Sequence, residues 1–243
     1  MAGLLFIISA PSGSGKSTLV HELRSVEKNL DFSVSYTTRA PRGSEEDGRE
    51  YHFVSRQQFE AMIAKDGLLE YAEVFGNYYG TARSALTESF AHGRDLLLDI
   101  DVQGAGQVHQ RVPEAISIFI LPPTPDVLKM RLTNRSRAEG KVEDSVIERR
   151  LAKAQHEIEN YHKYKYVLVN DVLERAVDEL SAIVKTERYL HDGDDLSRPG
   201  VQKVLAIAES CRVSHSAERL RPVLGAFGVP FSPEPAQISA FPG

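Results

Sequence analysis

The hydrophobic positions of this chain form short, unbroken apolar runs that are separated by longer segments with helical periodicity. The runs cover residues 4–9, 95–100, 115–121 and 166–170. Continuous apolar strands are typical of parallel sheets in which helices cover both faces. The alternation of strand-like and helix-like segments therefore predicts an α/β fold of three layers around a parallel core sheet.

Helix start and stop signals occur in the segments between these runs. Ser55 and Gln58 form a capping-box pattern, and Thr124 with Pro125 supplies an N-cap and a first-turn proline. The predicted helices cover residues 18–26, 56–66, 83–92, 125–134, 142–164 and 172–190.

Residues 33–79 differ from the rest of the chain in their pattern of apolar and polar positions. They contain short β-rich pieces around Tyr36, Phe53 and Tyr78, with the capped helix among them. This pattern predicts an inserted lobe of mixed α+β structure.

The C-terminal stretch also changes character. Half of the 12 prolines lie from Pro199 onward, and residues 191–200 have the composition of a linker. One short amphipathic helix around residues 201–208 fits the pattern. We expect the remainder of residues 191–243 to be a Pro-rich and largely irregular tail.

Composition narrows the classes of function. The formal net charge of -5 provides no basic field for a nucleic-acid partner, and the single cysteine excludes an intrachain disulfide. No apolar stretch is long enough to span a membrane, and the N-terminal run lacks the basic leading segment of a signal peptide. We expect a cytoplasmic protein. Composition does not identify a protein partner.

The strongest chemical signal follows the first apolar run. The stretch APSGSGKS begins at Ala10, where the general phosphate-loop pattern has glycine, and a helix-like segment follows it. Small residues allow backbone N–H groups to surround a polyphosphate, Lys16 can reach its β- and γ-phosphates, and the Ser17 hydroxyl can ligate Mg²⁺. This order of strand, loop and helix predicts an ATP or GTP site.

A second set of polar residues lies in the inserted lobe. Arg39 and Arg42 flank a proline-stiffened turn and could together bind one dianionic phosphate, with Tyr51 and Tyr79 as further donors. The alternative is that both arginines are ordinary solvated charges. Glu70 could accept hydrogen bonds from N1–H and the exocyclic amine of guanine, which adenine cannot offer in that arrangement.

Several motifs in the same order resemble those of the guanylate kinase family. They are SAPSGSGKST (9–18), SYTTRAPR (35–42), GNYYGT (76–81), LDIDVQG (98–104) and VND (169–171). The resemblance covers about residues 3–190. It implies a P-loop kinase fold with a core (3–32, 94–130 and 151–190), a GMP-binding lobe (33–93) and a helical lid (131–150).

The resemblance also implies the reaction and its site. The γ-phosphoryl group of ATP would pass to GMP, and to dGMP, with Mg²⁺ as cofactor. The implied ATP-binding residues are Ala10, Pro11, Ser12, Gly13, Ser14, Gly15, Lys16, Ser17, Thr18, Arg131, Arg137 and Asn170. The implied GMP-binding residues are Ser35, Arg39, Arg42, Tyr51, Glu70, Tyr79, Thr81 and Asp101.

Four residues are implied to be catalytic, and two to serve the metal. The catalytic residues are Lys16, Arg42, Arg135 and Arg150. The metal residues are Ser17, through its hydroxyl, and Asp99, through water, a role that Asp101 could take instead. Two alternatives stay open. Asp101 could instead be a helix N-cap, and Arg137 could take the role given to Arg135, because residues 134–140 look lengthened by about two.

Two other functions compete with this interpretation. One is a related P-loop kinase that acts on a different phosphorylated acceptor, such as a ribose bisphosphate. The other is a guanylate-kinase-like interaction module without catalysis. The GMP-side residues argue against the first, and the intact phosphate loop with its lid arginines argues against the second.

Overall fold

The computed structural model describes residues 3–74, 76–138 and 144–232, and the contacts of the chain divide into two compact units. The first unit holds the described residues up to Ile7 together with Asn29–Ile116. The second holds Ile8–Lys28 and the described residues from Ser117 onward.

Strands and helices alternate along most of the described chain. The strands are β1 (Leu5–Ser9), β2 (Leu30–Phe32), β3 (Tyr36–Thr37), β4 (His52–Phe53), β5 (Leu68–Val74), β6 (Asn77–Ala82), β7 (Asp95–Asp99), β8 (Ile116–Leu121) and β9 (Tyr166–Val169). The helices are α1 (Lys16–Val26), α2 (Arg56–Ala64), α3 (Arg83–Ala91), α4 (Val102–Arg111), α5 (Pro125–Ala138), α6 (Asp144–Ile158), α7 (Leu173–Asp192), α8 (Pro199–Ser210) and α9 (Ala217–Ala226).

The strands form two sheets. The larger has the order β2-β7-β1-β8-β9, in which β2 pairs with β7 and β8 pairs with β9, both in parallel. Strands β1 and β8 are buried along their whole length, as the continuous apolar runs predicted. The prediction of an α/β fold with a parallel core sheet is confirmed.

The smaller sheet lies within the first unit and has the order β4-β3-β6-β5. Strands β5 and β6 pair antiparallel, with a register shift between Leu68 and Glu70. Such a bulge puts one extra residue in a strand and interrupts the alternation of its faces. Leu68, Leu69 and Glu70 are consequently all buried.

In the second unit, α1 packs against α7. Glu27, at the end of α1, binds side chains of α7. Glu27 is buried, and it accepts hydrogen bonds from Ser181 (2.6 Å) and Arg188 (2.6 Å). A buried carboxylate with these two donors is compensated for its lost hydration.

The C-terminal stretch is more ordered than the sequence predicted. Residues 191–243 were expected to be largely irregular after one short helix, but α9 follows α8 and contains Pro222. Proline removes one helical hydrogen bond, and burial of Leu220 and Leu224 on either side of it offsets this loss. Residues 233–243 of the predicted tail lie outside the described residues.

The segment between α8 and α9 pairs with the outer edge of the larger sheet. The N–H of Val167 donates to the carbonyl of Cys211 (2.8 Å), and the N–H of Val213 donates to the carbonyl of Lys165 (3.3 Å). The same segment places Arg212 opposite Tyr166 in an antiparallel bridge. The chain thus covers the free edge of β9 with its own later residues.

The predicted lid, residues 131–150, contains the end of α5 and the start of α6. Helix α5 continues to Ala138, beyond its predicted end near Asn134, and α6 ends at Ile158, where a 3-10 turn takes over. Residues 139–143 lie outside the described part of the chain. In that described part, no helix is long and apolar enough to cross a membrane.

Candidate active site

The predicted phosphate loop connects the end of β1 with the start of α1, within the second unit. Gly13 and Gly15 have φ values of 90° and 87°, which side-chain-bearing residues rarely adopt. Ser14 closes the turn, since its hydroxyl donates to the carbonyl of Pro11 (2.6 Å). Helix α1 begins at Lys16, so its first backbone N–H groups have no helical partner and can bind an anion.

Two side chains from later in the sequence hold this loop. The amide of Asn170 and the guanidinium of Arg131 both donate to the carbonyl of Ser14, over 2.7 and 3.0 Å. Arg131 also donates to the carbonyl of Asn170 (3.2 Å). Burial lowers the pKa of Arg131 from its ordinary value.

The close packing at this point requires glycine. A Cβ on Gly15 would lie 2.4 Å from the Asn170 amide nitrogen. Asn170 and Arg131 therefore fix the backbone of the phosphate loop. Lys16 is half-buried, and Ser17 and Thr18 are exposed on the first turn of α1.

The predicted acceptor-phosphate residues lie in the first unit. Arg39 is positioned by Glu45. Its Nη1 and Nη2 donate hydrogen bonds to the two carboxylate oxygens of Glu45, over 2.9 and 3.0 Å. The guanidinium lies 5.3 Å from the ring centre of Tyr51, whose ring contacts that of Tyr79 edge-on at 5.9 Å. Hydrogen bonding to Arg39 lowers the pKa of Glu45.

Arg42 joins this cluster through its backbone. Its N–H donates to Glu45 (2.7 Å), and its side chain is exposed. Ser35 directly precedes β3, and its carbonyl accepts a hydrogen bond from the N–H of His52 in β4 (2.9 Å). Glu45 was not among the predicted site residues. Its place six residues after Arg39 and three after Arg42 was the available signal.

The predicted guanine-reading carboxylate is buried in the same unit. Glu70 is 5% exposed, and its Oε1 accepts from the hydroxyl of Thr81 over 2.6 Å. Burial raises the pKa of Glu70 to about 7, and the nearby negative charge of Asp101 acts in the same direction.

Asp101 is the N-cap of α4. Its Oδ1 accepts from the backbone N–H groups of Gln103 (3.0 Å) and Gly104 (2.9 Å). The N-cap alternative is therefore correct for one of its oxygens. Asp99 is the last residue of β7 and is half-buried.

The predicted lid arginines lie on α5 and α6. Arg150 donates to the hydroxyl of Ser136 (3.0 Å), which links the two helices within the second unit. Arg135 and Arg137 are both exposed in the last turn of α5.

A family model described as "Guanylate kinase" matches residues 3–187. The chain belongs to the guanylate kinase family. Guanylate kinase from Koribacter versatilis is 52% identical over 235 residues, which cover 97% of this chain and 100% of that protein. Guanylate kinase from Neisseria meningitidis serogroup B is 52% identical over 186 residues, covering 76% of this chain and 89% of that protein.

A solved structure supports the same family. The crystal structure of guanylate kinase from Anaplasma phagocytophilum matches with a TM-score of 0.62 and 33% identity, covering 85% of this chain and 95% of that one. The Koribacter guanylate kinase also spans the C-terminal helices, because its match extends over nearly the whole chain.

Each unit of this guanylate kinase family member thus holds one predicted set of binding residues. The phosphate loop, Asn170 and Arg131 contact one another in the second unit, and Glu70 contacts Thr81 in the first. Among the described residues, no group of three or more His, Cys, Asp or Glu side chains could hold a metal ion.

Proposed function

We propose that the protein transfers the γ-phosphoryl group of ATP to the phosphate of GMP or dGMP, giving ADP and GDP or dGDP. The observation that carries this proposal is the presence, on one guanylate kinase family chain, of a phosphate loop and of a buried carboxylate suited to guanine. In this reaction an oxygen of the acceptor phosphate forms a bond to the γ-phosphorus, and the bond to the β-phosphate oxygen breaks.

ATP binds in this proposal at the phosphate loop. The backbone N–H groups of residues 13–18 and the start of α1 surround the β- and γ-phosphates, and Lys16 neutralises part of their charge. Ala10, Pro11 and Ser12 complete the loop. Asn170 acts on ATP through the loop backbone that it holds, while a direct contact with adenine stays a prediction from the family resemblance.

Mg²⁺ enters with the nucleotide. The donor set fits this role in part, because the Ser17 hydroxyl is exposed on the first turn of α1 and Mg²⁺ accepts hydroxyl, carboxylate and phosphate oxygens while keeping waters. Asp99 offers a carboxylate at the end of β7 and would act through water. When bound, the ion neutralises phosphate charge during the transfer.

The acceptor phosphate binds in this proposal to Arg39, Arg42, Tyr51 and Tyr79. Glu45 accepts two N–H groups of Arg39 and the carbonyl of Ala40 accepts a third (2.7 Å), so at most two of the about five guanidinium donors remain for a phosphate. Ser35 is proposed to orient the nucleotide from the neighbouring strand.

Guanine is proposed to be read by Glu70, with Thr81 and Asp101 beside it. An ionised Glu70 accepts from N1–H and the 2-amino group, whereas adenine presents an acceptor at N1. A buried, hydrogen-bonded site rejects an analogue that leaves its polar groups unpaired. Burial of Glu70 therefore supports selectivity as well as binding.

The remaining arginines supply positive charge to the migrating group. Phosphoryl transfer depends on positioning and charge stabilisation more than on a general base. We assign this role to Arg42, Arg135 and Arg150, with Arg137 assisting at ATP. The choice of Arg135 over Arg137 rests on the family pattern, since both are exposed on α5.

A coupled assay of ADP release tests the proposal. ATP and Mg²⁺ are offered with GMP, dGMP, AMP, CMP and UMP in parallel, and we expect turnover with GMP and dGMP alone. Turnover with none of them, while ATP still binds, would favour a kinase for another phosphorylated acceptor. If the protein shows neither turnover nor ATP binding, an interaction module would be favoured.

A further inference from the structure

Strand β5 lies at the edge of the smaller sheet, and side chains of α4 occupy its outer hydrogen-bonding groups. Gln107 Oε1 accepts from the N–H of Tyr71 (3.1 Å), and Gln107 Nε2 donates to the carbonyl of the same residue (2.8 Å). The side-chain amide of Gln107 thus pairs with the strand as a neighbouring peptide would. The orientation of this amide is determined, because a backbone N–H only donates and a carbonyl only accepts.

A second contact lies one turn further along the same face of α4. Arg111 donates to the carbonyl of Leu68 (2.6 Å). Residues 104, 107 and 111 are spaced by three and four, so they share one side of the helix. We call this set the α4 face.

The first member of the α4 face is a glycine that touches Glu70. A Cβ on Gly104 would lie 2.7 Å from Glu70 Oε2 and 3.1 Å from the carboxyl carbon. The absence of a side chain at Gly104 therefore leaves the space that the carboxylate occupies. Thr81 holds the other oxygen from the opposite strand.

These contacts surround the β5 bulge. Arg111 holds Leu68 before it, and Gln107 holds Tyr71 after it, so the backbone on both sides of Glu70 is tied to α4. Without such support the strand could slip in register at the bulge. A slip of one residue would turn every side chain of the strand to the opposite face. The direction of the Glu70 side chain depends on this support.

We infer that Gln107 and Gly104 are positioning residues that set the base selectivity of the acceptor site by fixing the Glu70 carboxylate against α4. This inference rests on the proposed function, in which Glu70 accepts from guanine. Neither residue touches the base in this scheme. Both act through Glu70.

The test compares GMP with IMP, which keeps N1–H but lacks the 2-amino group. A correctly placed carboxylate accepts from both donors of GMP and from one donor of IMP, so the ratio of kcat/KM values reports its position. The variants are Gly104→Ala, which pushes the carboxylate, and Gln107→Leu, which removes both backbone contacts at similar size. Gln107→Glu keeps the acceptor but loses the donor.

We expect Gly104→Ala to lower the GMP-to-IMP ratio about tenfold and Gln107→Leu about fivefold, with the KM for ATP within about twofold of wild type. Gln107→Glu should lie between wild type and Gln107→Leu. Gln110→Leu is the matched control, because Gln110 is exposed on the same helix, and its ratio should not change. The KM for ATP and the thermal midpoint verify that each variant is folded.

A ratio within about twofold of wild type in both Gly104→Ala and Gln107→Leu would overturn the inference. Failure of the proposed function is distinguishable, because wild-type protein would then show no turnover with GMP before any variant is compared. An equal loss for GMP and IMP would also contradict a positioning role, since it would indicate general damage to the acceptor site.

Discussion

Glu70 is buried beside Thr81 and Asp101, so its charge changes within the pH range in which such proteins are assayed. Its pKa is raised to about 7, chiefly by burial. In the proposed function, guanine needs the ionised form of Glu70, because a protonated carboxyl group has lost an acceptor and gained a donor. The proposal therefore couples nucleotide recognition at this residue to the release of a proton.

We expect kcat/KM for GMP to rise with pH up to about 7 and to level off above it. Between about pH 7 and pH 6 each pH unit should lower it about tenfold, as the ionised fraction of Glu70 falls. Below about pH 6 the fall should be steeper, because the GMP phosphate also takes up a proton there. Glu70→Gln keeps the phosphate ionisation and is the control, so an unchanged inflection near pH 7 in this variant would remove Glu70 from the base site.

Lys16 stands at the first position of α1, beside the phosphate loop, and is half-buried. We expect Lys16→Ala to lower kcat by about 10²–10³, the usual cost of one charge-stabilising donor. The unfolding midpoint should barely change. Lys203→Ala, at an exposed position of α8, is the matched control, and near-normal turnover of the Lys16 variant would contradict its catalytic role.

Sequence reasoning proposed the binding residues themselves but not the residues that orient them. Residue type and spacing are enough to predict the chemistry of the motifs that contain Lys16, Arg39 and Glu70. Glu45 and Gln107 act through three-dimensional contacts with residues six and 36 positions away. Gln107 has no local signature, and Glu45 has only its spacing from Arg39 and Arg42, because polar side chains on a helix or loop are usually solvated.

At the scale of elements, the long apolar strands could be predicted because burial on both faces makes their runs continuous. Strand β2 was missed, since three residues carry too little pattern. The bulge in β5 was missed for a different reason. It places three consecutive residues inside, which no alternating pattern predicts.

Helix α9 was also missed, because Pro222 normally argues against a helix interior. We expect Leu220→Ala, at a site with 0% exposure, to reduce the free energy of unfolding by about 2–5 kcal/mol. Ile207→Ala, on α8 with 36% exposure, should cost less than about 1 kcal/mol. Urea denaturation measures both, and equal losses would mean that α9 packs no better than an exposed helix face.

At the scale of the whole molecule, the two predicted sets of binding residues belong to different compact units. A ligand that binds only the folded state raises its stability by RT ln(1 + [L]/Kd). Each nucleotide should therefore protect the protein through its own set of residues.

We expect ATP and GMP each to raise the thermal midpoint of the wild-type protein by several degrees at about 100 times Kd. Lys16→Ala should lose most of the shift with ATP and keep the shift with GMP. Glu70→Gln should behave in the reverse way. A scan of both variants against both ligands checks this assignment, and a variant that loses both shifts equally would refute separate binding sets.

The pairing of residues 211–213 with the edge of β9 also has a consequence for how the chain is made. An uncovered strand edge can recruit a strand from another molecule. During synthesis at about 5–20 residues per second, β9 leaves the ribosome seconds before the segment that covers it. The growing protein therefore passes through an interval in which its sheet is open to intermolecular pairing, and that interval ends when residues 211–213 bridge to β9.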